Sequence, residues 1–356
     1  MSLLAGCTPE PTPDPLEPDS AQVAESLTSA IRLKSEQQFA ANFATSTVGV
    51  ALAEQWYSNL SQFEDVSFTA VSGSGQLQVT WSVPGQSTPS RETLSMQMAK
   101  VGGRTLILDR LASSSPPSWL FGRVTVTNVD EGTLIAAETV SESESKAWLK
   151  RLKDAVKVVK DAKLGSTVES WDGRLVVELP RTTSEYTELV DVDPTTSSAA
   201  AECESGAVHI VVNPASLSAP DPEGQALMAH EAVHAATASP CSKSGAWWAT
   251  EGLAEWVAQE AYSSAAAQNE ALVKNYVAHH GVPAALPADP AAEDRDAIAA
   301  AYALSGVVVD VCVDEMGRKD ALELVGKLAK GTAPDAEKLA EILGWYQAAL
   351  QKIAKS

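Results

Sequence analysis

Five consecutive residues could carry chemistry in this 356-residue chain: His230, Glu231, Ala232, Val233 and His234. Positions four apart stack on one face of a helix, so His230 and His234 can aim both imidazoles at one metal ion. Glu231 projects about 100° further round the same helix. There it can reach a water molecule at that ion without ligating the ion itself. Only five histidines occur in the sequence, so two of them flanking a glutamate at this spacing are hard to attribute to chance.

A catalytic zinc takes three protein ligands and keeps a fourth position for water. The third ligand has to come from elsewhere in the chain. The longer pattern H-E-x-x-H-x-x-G-x-x-H would supply another histidine, but Thr237 stands at its glycine and Pro240 at its final histidine. The better source is Trp248-Ala249-Thr250-Glu251-Gly252-Leu253-Ala254-Glu255-Trp256, where Glu251 becomes the third ligand. The segment from Ser239 to Gly245 is short enough to return the next helix beside the first, and Trp247, Trp248 and Trp256 supply buried neighbours. Glu255 lies one turn beyond Glu251. It could accept a hydrogen bond from the free N–H of a ligand histidine, or be a solvated helix charge. With the three ligands in place, the ion would lower the pKa of its water and Glu231 would accept the proton as that water attacks a carbonyl.

These two segments resemble the gluzincin superfamily of zinc metallopeptidases, and within it the thermolysin-related peptidase MA-like group, over about residues 120–356. The resemblance implies hydrolysis of peptide bonds, with His230, His234 and Glu251 on Zn(2+) and Glu231 as general base. It also implies an edge strand ahead of the metal helix that binds the substrate backbone by strand addition, a place that Ala207 to Val212 fits. In this superfamily a Tyr or His donates to the developing oxyanion. Tyr302, in Ala301-Tyr302-Ala303-Leu304-Ser305 before an apolar run and Gly317, is the candidate donor, with an ordinary core tyrosine as the alternative. His279 and His280 are rivals that read more readily as surface residues before Gly281-Val282-Pro283. His209 alternates within a strand and is expected only to line the cleft.

The whole chain narrows the partners. Lys and Arg total 26 against 46 Asp and Glu, for a formal net charge of -20, so phosphate would be repelled and nucleic acid is excluded as a partner. No apolar stretch matches a membrane-spanning helix, the longest, Leu304 to Val313, being short and carrying Asp310. Leu4-Ala5-Gly6-Cys7 resembles a bacterial lipobox, followed by a Pro-rich acidic stretch from Thr8 to Asp19 suited to an extended tether. That resemblance implies a lipid on Cys7 and an exported protein tethered to the outer face of the cell membrane, or secreted. It departs from the usual pattern in the short segment before Cys7, which has no basic region and no full apolar region. Export permits a disulfide, and Cys203 and Cys241 are the expected pair. Cys312, in an apolar helical stretch, reads as a buried free thiol.

The elements that must position these residues follow from periodicity. Ala21 to Thr45 and Val48 to Leu60 read as helices. Val66 to Val71, Gln76 to Val83, Glu92 to Val101 and Arg104 to Leu111 alternate as strands, with Gly102-Gly103 as a hairpin signal. Helices followed by an antiparallel sheet resemble the nuclear-transport-factor-like fold, a curved sheet wrapped by helices. After a Ser- and Pro-rich hinge at residues 113–117 come strands at Gly122 to Asn128 and Thr133 to Ala137, a helix at Ser145 to Ala162, and strands at Arg174 to Leu179 and Ala207 to Val212. Val190 to Glu204 reads as a loop. Everything beyond Pro220 is helical, with helices at Gly224 to Ala238, Ala246 to Tyr262, Glu270 to His280, Ala291 to Met316, Lys319 to Ala329 and Asp335 to Lys355. The expected fold class is α+β: a lipobox and linker over 1–19, an accessory α+β domain over 20–115, and a mainly helical zincin-like domain with a small sheet over 120–356. The competing functional readings are a non-catalytic binding lipoprotein with a structural or silent zinc site, and an interaction module whose working part is the N-terminal domain.

Overall fold

A computed structural model describes residues 19–71, 75–111, 116–190, 192–242, 244–290, 295–333 and 335–355. The fold is α+β and divides into two compact units. The first comprises Met1–Ser61, Val66–Val79 and Thr93–Ser113; the second comprises Gln62–Asp65, Thr80–Glu92 and Ser114–Ser356.

In the first unit, helix α1 (Ser20–Arg32) starts where the Asp19 carboxylate accepts the N–H of Gln22. The long helix expected over 21–45 is interrupted. Lys34 adopts a left-handed conformation at φ 52, and α2 (Glu36–Ala40) restarts on a Ser35 cap. Helix α3 (Thr47–Leu60) is capped by Ser46. Phe43 packs its ring against Phe39 and edge-on against Trp56, so one aromatic cluster joins α2 to α3. The strands β1 (Glu64–Val71), β2 (Gln76–Ser82), β3 (Ser90–Val101) and β4 (Arg104–Arg110) lie side by side in chain order, with Glu64–Asp65, Thr80–Ser82 and Ser90–Glu92 counted in the second unit. Gly102 and Gly103 both take positive φ, which lets the β3–β4 hairpin close between Val101 and Arg104.

The second unit holds a five-stranded sheet. Its strands are β5 (Val124–Val129), β6 (Gly132–Ala137), β7 (Leu175–Leu179), β8 (Ala199–Glu204) and β9 (Ala207–Val212), in the order β5-β6-β7-β9-β8. Strands β6, β7 and β9 run parallel, while β5 and β8 pair antiparallel at the two edges. Two expectations are corrected here. Ala207–Val212 is not an edge strand, because β8 covers it, and the stretch expected as a loop to Glu204 ends in that strand. Ala-Ala-Ala-Glu-Cys-Glu has little intrinsic preference for a strand. It becomes one through tertiary context: a tight turn with Ser205 at φ 52 and Gly206 at φ 91 folds it onto β9.

Helices cover one face of this sheet. Helix α4 (Glu142–Ala162) begins with a reciprocal Ser141–Glu144 capping box and buries Trp148, Leu152, Val156 and Val159. A short helix absent from the sequence reading, α5 (Thr183–Leu189), instead packs Tyr186 against Val211 on the opposite face. Then come α6 (Glu223–Thr237), α7 (Trp247–Ala261), α8 (Ser263–His280), α9 (Arg295–Met316), α10 (Arg318–Ala329) and α11 (Ala336–Ile353). Leu134, Leu175, Val177, Ile210 and Val212 from the sheet share one buried core with Met228, Ala232, Trp248, Leu253, Leu304 and Val308 from the helices. Gly252 lets α7 approach α9 closely: a β-carbon there would lie 2.4 Å from the carbonyl oxygen of Ser305. By length and composition alone α9 could cross a membrane over Asp296–Met316, contrary to the sequence expectation, yet its Ala303, Leu304, Val308, Val309 and Cys312 are buried in this protein core.

Candidate metal centre

The apolar residues of α6 fix its orientation. Met228, Ala232, Val233 and Ala236 enter the core, and the remaining face carries His230, Glu231 and His234, which are themselves nearly enclosed. Pro240 stops the helix, and the next one returns at Trp247, so Glu251 sits one turn into α7 facing α6. His230 Nε2 lies 3.0 Å from His234 Nε2, and Glu251 Oε2 lies 3.3 and 3.1 Å from these two nitrogens. Among the described residues, this is the group of His, Cys, Asp and Glu side chains that could hold a metal ion. Ligand atoms bound at about 2.0–2.1 Å to a tetrahedral zinc stand about 3.3–3.4 Å apart. The donor triangle therefore fits that ion in both size and chemistry.

The remaining ring nitrogens are also occupied. His230 Nδ1 donates to Glu255 Oε1 at 3.1 Å, and Asn269 Nδ2 donates to Glu255 Oε2 at 2.6 Å. His234 Nδ1 lies 3.1 Å from Ser239 Oγ. With both Nδ1 atoms carrying the proton, two imidazole lone pairs and a carboxylate oxygen converge on one point. Such an arrangement requires a positive charge between them. Without an ion, a proton on His230 would supply that charge. Burial opposes a charged His230, but Glu251 and Glu255 outweigh it and hold its pKa well above the usual histidine range. Burial also opposes ionised Glu251, yet the positive field of His234 and the bonds from both histidines push its pKa far below the usual carboxylate range.

Glu231 stands apart from this triangle. Burial chiefly raises its pKa, with Glu251 adding to the rise, while His230, His234 and the N–H of Ala201 on β8 pull it down; the net shift is upward. A carboxylate whose pKa is raised in this way holds a proton more readily than an exposed one. The ring of Tyr302 lies 5.8 Å from that of His230 and 5.3 Å, edge-on, from that of Trp247. Burial first, then Glu251, Glu231 and Glu255, raise the pKa of its phenol, so it stays a protonated donor.

The other histidines are elsewhere. His209 does not line this site. It sits on β9 with Nδ1 on the Glu178 carboxylate and Nε2 2.9 Å from Ser90 Oγ, because the alternation of the strand turns it to the sheet face opposite Ile210. His279 and His280 are exposed at the end of α8, where His279 Nδ1 donates to the carbonyl of Asn275. Cys203 and Cys241 form a disulfide, and Cys312 is a buried free thiol. Cys7 lies outside the described residues.

Three residues near the site had no site role in the sequence reading: Ala201, Ser239 and Asn269. Only Ser239 carried a signal, in the form of a polar residue immediately before the helix-stopping Pro240.

No protein-family model and no curated protein matches the chain. Among solved structures, a yeast LTA4 hydrolase in complex with bestatin matches at a TM-score of 0.40 and 11% identity, covering 84% of this chain and 50% of that one. The chain thus spans about half the length of that enzyme. A likeness at this level assigns neither an activity nor a metal.

Proposed function

We propose that the chain is a zinc-dependent peptidase of gluzincin type. The observation that carries this reading is the convergence of His230 Nε2, His234 Nε2 and Glu251 Oε2 within 3.0–3.3 Å of one another, beside a buried Glu231 that lies outside the triangle. Zinc held by this triangle would supply a Lewis acid for a peptide carbonyl and a more acidic water.

The chain's own residues supply the rest. Glu231 takes the proton of the attacking water on its carboxylate and returns it to the leaving amine. The N–H of Ala201 fixes that carboxylate, and Glu255, itself held by Asn269, fixes the ring of His230. The Tyr302 phenol donates to the oxyanion as it develops. Strand β8, at the edge of the sheet and adjoining Glu231 at Ala201, takes an extended peptide as an added strand. The lipobox resemblance at Leu4-Ala5-Gly6-Cys7 and the Cys203–Cys241 disulfide support an exported protein tethered through Cys7.

A digest of a diverse peptide library tests the activity. Cleavage by the full chain that stops with a chelator and returns on adding zinc supports the reading. A chain that holds zinc in this site yet cleaves no member of the library contradicts it and favours the silent-site alternative.

A further inference from the structure

Helix α6 ends without a glycine. Ala238 takes the left-handed conformation at φ 52, ψ 32, and its N–H reaches the carbonyls of Ala235 and His234. A residue with a β-carbon adopts that conformation less readily than glycine. The reversal turns Ser239 back under the last helical turn. Its buried hydroxyl then stands 3.1 Å from His234 Nδ1, so the ring can give its Nδ1 proton to Ser239 and turn Nε2 toward Glu251.

Two residues beyond Ser239, Cys241 is bonded to Cys203. Cys203 lies on β8 two residues from Ala201, whose N–H holds Glu231. One covalent link therefore joins the two backbone segments that orient His234 and Glu231.

We infer that Ser239 is a positioning residue for the metal centre, and that the Cys203–Cys241 disulfide is the tether that keeps its hydroxyl on His234. The inference rests on reading His230, His234 and Glu251 as metal ligands. It deepens that reading by naming what selects the metal-binding tautomer of the second histidine.

The test is zinc affinity of the full chain, measured by competition with a chelating dye alongside thermal stability. Removing a partner of a ligand histidine typically weakens metal binding about 10–100-fold. Ser239→Ala is expected to lose at least about tenfold in zinc affinity at near-unchanged apo stability. Ser239→Thr, which keeps the hydroxyl, is expected to remain close to the parent. The double variant Cys203→Ala/Cys241→Ala is expected to lose zinc affinity as well, and adding Ser239→Ala to it to cost little more, because the two changes remove one interaction. Parent-like affinity in Ser239→Ala overturns the inference, as do fully additive losses. If the double variant does not fold, the Ala/Thr pair at Ser239 decides alone. A parent chain that takes up no zinc shows a different failure, that of the ligand assignment itself, before any variant is made.

Discussion

His230 and His234 face each other through their Nε2 atoms at 3.0 Å, with each ring's other nitrogen already engaged by Glu255 or Ser239. Neutral imidazoles so arranged present two lone pairs to one point, and Glu251 adds an anionic oxygen to the same point. A fold that brings three acceptors together inside a buried site is organised around a cation. Helix geometry sets Glu231, between the two histidines in sequence, outside that triangle, which is what the proposed role as base needs.

Glu231→Gln separates binding from chemistry. The amide keeps the shape and can still accept from Ala201, but it cannot take a proton. Zinc content is expected to stay at the parent level while peptide hydrolysis falls by about 10²–10⁴-fold. Parent-like hydrolysis in this variant would reassign the base.

Tyr302→Phe keeps the ring beside His230 and Trp247 and removes only the phenolic proton. Loss of an oxyanion donor typically costs about 10²–10³ in kcat. The expected result is a fall of that order in kcat with KM and zinc content nearly unchanged. A variant with full kcat would make Tyr302 a packing residue.

Glu92 gives the second unit a pH-dependent stability that owes nothing to the metal site. It is buried on β3 and accepts a 2.7 Å hydrogen bond from Trp81 Nε1. Burial, partly offset by that bond and reinforced by Glu178 and Glu204, raises its pKa from 4.5 to about 8. The folded state therefore keeps a proton that the unfolded chain releases above pH 4.5. The sign follows: between these two pKa values the unfolded state binds fewer protons, so stability falls as pH rises, and the contribution levels off above pH 8. Its slope is at most about 1.4 kcal/mol per pH unit. Denaturant melts of the parent and of Glu92→Gln across this range should show the variant with the shallower decline and the higher stability at the alkaline end. Parallel curves would show that Glu92 is ionised in the fold.

Gly252→Ala tests the close approach of α7 to α9. The added carbon would fall 2.4 Å from the backbone oxygen of Ser305, which cannot rotate away as a side chain can. Overpacking of this kind costs roughly 1–3 kcal/mol. Because Glu251 is the preceding residue, the same shift should also lower zinc affinity. A melt unchanged from the parent would mean that the two helices separate without strain.

How much of this was readable in the sequence depends on whether a feature is local. The triplet His230, Glu231 and His234 was legible because helical spacing alone fixes which side chains share a face. Glu251 and Glu255 were legible because a short, proline-stopped connection leaves the next helix little choice but to return alongside. Ala201 was not, since its contribution is a backbone N–H and no side chain marks it. Strand β8 was missed for a related reason: alanines do not announce a strand, and this one exists because β9 and the turn at Ser205–Gly206 hold it. The break at Lys34 left the apolar period of the surrounding helices intact, so periodicity read through it. His209 was assigned to the right strand but not to its partners, because Glu178 and Ser90 reach it from distant parts of the chain.

Zinc uptake by the purified full chain tests the central claim most directly, with equilibrium dialysis followed by metal analysis of the parent and of Glu251→Ala. The expected result is one tightly held zinc per parent chain, and a weakened or lost site in the variant. A parent chain that holds no zinc above background, or a variant that holds it as tightly as the parent, would contradict the convergence of His230, His234 and Glu251 on a single ion.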